Sequence, residues 1–300
     1  PDLGPEKTRT TEFGFDAALL NDRVGVEFTF FDEKTTDALL SVPEQPVTGF
    51  STFQLRNVGT IENDGIELAI NATVIDNRNF KFSVRGTYST LDNEVTSLGG
   101  AQPFSLGGFA FLPQRVELGK PVGVFRTNRP IRNPETGEFD GQFETVLDRS
   151  PLADKYYSIS ANFTLFQNLD LSILGDGQSG GYILNTGSVL RFFNGAEPQA
   201  SKVPPGYSFF TASDVFVEDA TFFKIREINA SYRLPHRYFG QNITFFFSVR
   251  NVVTFADNDD VDPELQGLSS GNRTQTNVGG INFFTLSPPR QFRFGIQVGR

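Results

Sequence analysis

The chain has 300 residues, 38% of them hydrophobic, with 33 Phe, no Trp, Met or Cys, and a net charge of −9. The lack of cysteine excludes disulfides, thiolate catalysis and cysteine metal sites. The acidic balance argues against a nucleic-acid partner, which needs a basic face, and no run of about 18 apolar residues exists to make a transmembrane helix.

The opening PDLGPEKT has neither the basic n-region nor the apolar h-region of a signal peptide. Either the protein is cytosolic, or its N-terminus has been removed or lies outside this sequence, and the strand pattern that follows favours the second. From there the dominant signal is alternation of apolar and polar residues over segments of about ten residues. Phe13, Phe15, Ala17 and Leu19 share one face. After the turn LNDR, Val24, Val26, Phe28 and Phe30 continue it. Ile66, Leu68, Ile70, Ala72 and Val74 form the next row, and after DNRN come Phe80, Phe82, Val84, Gly86 and Tyr88. Tyr157, Ile159, Ala161, Phe163 and Leu165 precede the turn FQN, and Leu169, Leu171 and Ile173 follow it. Ile228, Ala230, Tyr232 and Leu234 lead into LPHRYFGQN, then Ile243, Phe245, Phe247 and Val249. The chain ends on RQFRFGIQVGR, with Phe292, Phe294, Ile296 and Val298 on the apolar face.

These runs make nine strands. Their connections alternate between short turns and long segments, roughly 38–60, 98–154, 185–220 and 255–289. Short turns on one side and long loops on the other are the signature of a transmembrane barrel. Counting strands then puts the C-terminus on the periplasmic side. The second face carries Glu67, Arg85, Arg233, Arg250 and Arg293, which suits a wet lumen. Tyr88, Tyr157 and Tyr232 are candidate anchors at the lipid–water boundary. The reading is an all-β, antiparallel transmembrane β-barrel segment with an apolar face toward outer-membrane lipid. Two other readings are weighed against it. One is a stand-alone small barrel acting as pore or adhesin; the other is a secreted, soluble, carbohydrate-binding β-sandwich. An odd strand count leaves unpaired edges, which lipid penalises, so the chain reads as part of a larger barrel.

Five stretches, in order, resemble the C-terminal part of SusC/RagA-like TonB-dependent outer-membrane transporters. They are PEKTRTTEFGFDAALLNDRVGVEFTFFDEKTTDALL, NVGTIENDGIELAINATVI, FVEDATFFKIREINASYRLP, RNVVTFADNDDVDPEL and RQFRFGIQVGR. The resemblance implies a barrel of about 22 strands with a plug folded inside it. Residues 1–300 would then supply about nine or ten strands of the C-terminal part, with the plug and early strands absent. It also implies TonB-dependent import of a nutrient, a glycan fragment or peptide, across the bacterial outer membrane. The implied partners are a SusD-like surface lipoprotein on the loops, the TonB complex through the missing N-terminal region, and the barrel-assembly machinery. No enzymatic activity and no cofactor are implied. The family usually ends on an aromatic residue, whereas this chain ends on Arg300.

Chemistry suggested by short motifs is weighed in the same way. GQSGG (177–181) fits the G-x-S-x-G pattern, and His236, the only histidine, follows it. The motif needs a strand–turn–helix, and a glycine-rich strand end is the better reading. DNDDVDPE offers Asp257, Asp259 and Asp262 as weak calcium candidates, against a solvated acidic loop. In the long loops, Phe104, Phe109, Phe111, Phe192, Phe193 and Tyr207 are candidates for stacking on a substrate or packing a partner. The competing reading is that these rings anchor the loops. The N-x-[ST] sequences at Asn71, Asn162, Asn229 and Asn242 read as a by-product of a polar lumen face.

Overall fold

A computed structural model describes residues 3–43, 53–106, 113–196, 199–258, 261–264, 279–283 and 285–299. Nine long strands form one antiparallel meander in which each pairs with the next. We label them β1 (Lys7–Leu19), β2 (Val24–Thr36), β3 (Thr60–Asp76), β4 (Phe80–Thr90), β5 (Lys155–Leu165), β6 (Leu169–Ser179), β7 (Phe222–Arg233), β8 (Asn242–Ala256) and β9 (Gln291–Gly299). β1 and β9 lie at the two ends of this sheet. A short strand, Asp92–Ser97, also pairs with the first residues of β3.

Register keeps the two faces chemically separate, because the side-chain period of a strand is two. One row of paired positions crosses all nine strands: Leu19, Val24, Ala72, Val84, Ala161, Ile173, Ile228, Val249 and Phe292. Every member is apolar. The opposite face carries rows such as Glu27, Ala69, Thr87, Ser158, Asp176, Lys224 and Thr254. The rows stay aligned through local irregularities. A register shift between Thr73 and Ile75 leaves Val74 without a partner on β4, so Val74 leaves the regular row expected for it and Ile75 takes over, opposite Phe82. On β7, Arg226 is the extra residue against β6. Apolar positions there are odd before the bulge (Phe223, Ile225) and even after it (Ile228, Ala230, Tyr232), which is how a bulge re-aims a strand.

The apolar face is bare. Phe13, Phe15, Ile70, Ile159, Phe247 and Phe294 are all exposed, Phe294 by 85%. The soluble-sandwich alternative requires a second sheet over this face, and none covers it among the described residues. Total accessible surface is 17909 Å², against about 12,600 Å² for a compact soluble monomer of this mass. The apolar face therefore needs a non-aqueous neighbour, and lipid is the medium that fits a sheet with no apolar partner.

Short turns 20–23, 77–79, 166–168 and 234–241 join strands at one end, and long connections leave from the other. Gly299 pairs with Asn242 beside a short turn, so β9 ends on the short-turn side. The buried core lies in the long connections. One cluster joins Leu40, Val42, Val95, Phe104, Leu106 and Val116. A second joins Phe125, Leu184, Val189, Phe209, Phe216 and Ile281. Small sheets frame them. Residues 104–105, 114–116, 124–132 and 139–149 form a four-stranded sheet, and 182–185 sits between 217–219 and 281–282. The strand 281–282 runs parallel to 184–185. The loops are thus a packed layer over one end of the wall, a level of order that alternation alone does not reveal.

Candidate luminal wall and loop layer

The polar face of the wall is laced with cross-strand ion pairs. Arg85 on β4 meets Glu27 on β2 at 3.3 Å and donates to Asn71 on β3 between them. Lys34 meets Glu62 at 2.6 Å, and Arg250 on β8 meets Glu227 on β7 at 3.2 Å. Asn229 donates to Ser172 at 3.1 Å. Charges placed this way face water or polar substrate, since uncompensated charge on the lipid face is costly.

The largest cluster fastens a loop to the wall. Lys224, 6% exposed, sits 2.5 Å from Asp262 and 2.8 Å from Glu264. Arg226 grips Glu264 with two guanidinium N–H groups, at 2.5 and 2.7 Å, and donates its Nε–H to Asp176 on β6. The bulge makes this possible, because it turns Arg226 to the same side as Glu227. The bidentate bonds from Arg226, and then Lys224, hold the Glu264 carboxyl at about 2, well below its ordinary 4.5, against an opposing push from burial. A carboxylate with a depressed value contributes fully above its ordinary value and is lost as pH falls through the depressed one. The tether therefore holds at pH 5 and releases only in strong acid. Glu264→Gln should raise protease cleavage within 261–264 about tenfold at pH 7, equivalent to ~1.4 kcal/mol of local opening. Unchanged cleavage would mean that Lys224 and Asp262 suffice.

A second network holds the loop layer together. Asp214, 5% exposed, accepts from Thr127 at 2.9 Å and from Arg129 at 2.9 Å. Arg149 approaches the same carboxylate at 3.1 Å and donates to the backbone carbonyls of Asp214 and Val217. The hairpin 124–149 is thereby tied to the 213–217 turn.

The residues singled out by sequence fall in several places. Phe104 is 3% exposed, packed with Leu40 and Val95, so it anchors its loop. Phe109 and Phe111 lie outside the described residues. Phe192 is half-buried, 5.5 Å from Phe216. Phe193 is exposed and packs 5.4 Å from Phe209; with Leu190, Phe210 and Phe283 it lines an apolar pocket of about 330 Å³. The Tyr207 hydroxyl donates to Gln142 at 2.7 Å and accepts from Gly141 at 3.1 Å, which pins the free edge of 139–149. Asp257 is exposed, Asp259 lies outside the described residues, and Asp262 is engaged by Lys224. No three His, Cys, Asp or Glu side chains are grouped to hold a metal among the described residues. Phe292, Phe294, Ile296 and Val298 share the bare face of β9 and are 60–85% exposed. Ser179 ends β6 at the loop end, whereas His236 lies in the turn 234–241 at the other. The length of β6, about 33 Å, separates them, so no catalytic pair forms. Asp214 with its arginines, and Tyr156 on the polar face of β5, were missed. Tyr156 was legible in principle, because adjacent tyrosines on a strand must face opposite sides.

The family described as TonB dependent receptor-like, beta-barrel, matches residues 1–115. TonB-dependent receptor P26 of Formosa agariphila is 26% identical over 349 aligned positions, covering 99% of this chain and 35% of that protein. TonB-dependent receptor SusC of Bacteroides thetaiotaomicron is 35% identical over 95 positions, covering 32% of this chain and 10% of SusC. In fold, the chain is similar to the solved RagAB peptide transporter, with a TM-score of 0.78, 19% identity, and coverage of 99% of this chain and 36% of that one. The chain spans about a third of the length of the curated relatives that align along most of it. With the two-faced wall and the one-sided loop layer, these matches make the chain similar to the TonB-dependent receptor β-barrels of the outer membrane, SusC among them.

Proposed function

We propose that this chain forms part of the wall and the extracellular loop layer of an importer that brings a nutrient, a glycan fragment or a peptide, across the outer membrane. Energy would come from a TonB-type complex acting through a region outside this chain. A SusD-like lipoprotein would dock on the loop layer, and the barrel-assembly machinery would insert the barrel. The observation that carries this reading is the wall itself, with a continuous apolar row on one face and cross-strand ion pairs on the other. Residues 1–300 would be the C-terminal part of the barrel, following a plug and earlier strands. The edges of β1 and β9 would pair with those strands, as lipid requires of backbone polar groups. The relatives fit this reading: RagAB is described as a peptide transporter, and SusC as a TonB-dependent receptor. A stand-alone barrel would need β1 to pair with β9, and these two strands are not paired.

The test is uptake in a strain lacking the gene, against panels of oligosaccharides and peptides. Loss of uptake of at least one compound, restored by the intact gene, is the expected result. Unchanged uptake of every compound would sink the import reading.

A further inference from the structure

Resting on the import reading, we infer that the polar wall carries a subsite for a neutral sugar ring, with Tyr156 as its stacking platform. A cavity of about 310 Å³ opens on the polar face just below the loop layer, at the lower end of the range of about 300–1,000 Å³ for small-molecule sites. Its floor comes from the loop-side ends of β4, β5, β6 and β7. Tyr156 stands there 38% exposed, paired on either side with Ser89 and Gln178.

The remaining lining decides the class of ligand. Thr87, Ser89 and Gln178 are short, neutral, hydrogen-bonding side chains. An aromatic face beside hydroxyls and an amide matches a sugar, which presents C–H groups on one face and hydroxyls around its rim. The charged members are already engaged with one another. Arg226 is held by Asp176 and Glu264, and Lys224, just outside the lining, is held by Asp262 and Glu264. Three carboxylates against two cations leave this cluster at −1. No cation of the cluster is left over for a uronate, a sulfate or a peptide C-terminus, and the excess negative charge repels them. A neutral ring meets neither cost.

The experiment uses the full-length receptor that contains this chain, purified in detergent. Calorimetry measures binding of neutral hexasaccharides built from glucose, mannose or xylose, of a hexauronate, and of a peptide mixture. At least one neutral hexasaccharide should bind. Tyr156→Ala should weaken it about fivefold or more, since an aromatic contact is worth on the order of 1 kcal/mol, and Tyr156→Phe should stay within about twofold. The hexauronate should bind at least about tenfold more weakly. Heat-dependent gel mobility of the folded barrel checks that both variants fold. The subsite is overturned if Tyr156→Ala leaves affinity unchanged, if no neutral hexasaccharide binds, or if the uronate or peptides bind better. Nutrient uptake that persists alongside any of these results leaves the import reading standing, whereas absent uptake removes that reading first.

Discussion

Replacing Ile173 with Arg is expected to cost about 2–4 kcal/mol of barrel stability, the range for a cation near the middle of the lipid face. Ile173 sits near the middle of β6, between Ala161 and Ile228 in the apolar row. Ser172 is its neighbour on the same strand and faces the other way, where Asn229 donates to it. Ser172→Lys should therefore cost less than about 1 kcal/mol, because the new ammonium can reach water in the lumen. The comparison is made on the full-length protein refolded into lipid vesicles, by urea titration with gel mobility as the readout. Equal losses at the two adjacent positions would deny that the two faces meet different media.

The second large effect concerns the loop layer. Asp214→Asn keeps the shape of the side chain and removes the charge that Arg129 and Arg149 share. Removing one partner of a buried pair leaves uncompensated charge and costs about 3–5 kcal/mol. Both arginines keep some contact with water, at 33% and 22% exposure, and Arg129 keeps Asp148 at 2.8 Å. A loss of about 3 kcal/mol, the low end, is expected. It should appear as fast proteolysis within 124–149 and 199–217 while the wall keeps its folded gel mobility. Loss of both together would mean that wall and loop layer form one cooperative unit.

The wall was legible because lipid and lumen impose opposite chemistry on alternate residues. Where a bulge breaks the period, at Val74 and Arg226, alternation misleads, since it assumes one constant phase. β3 runs from Thr60 to Asp76, longer than its apolar row, because Thr60–Asp64 pairs with Asp92–Ser97 and has no lipid to face. The loop layer was hidden for a different reason. Phe125 comes from one long connection and Phe209 and Phe216 from the next, and they meet through tertiary packing, which has no period in sequence. The Asp214 network is similar: Arg129 lies 85 positions away, and nothing local to SDVF announces its partners.

The short parallel pairing of 281–282 with 184–185 has a consequence for assembly order. Hairpins such as β1–β2 join neighbours across a few residues, so they close cheaply and early. The loop layer waits on distant contacts: Gln114 donates to the carbonyl of Gly279 across 165 positions, and Thr186 to Asn282 across 96. Chain entropy delays such closures until the strands between them are in place. The cap over the mouth is thus a late event in folding, and a receptor interrupted before its last strands would present an open, uncapped wall.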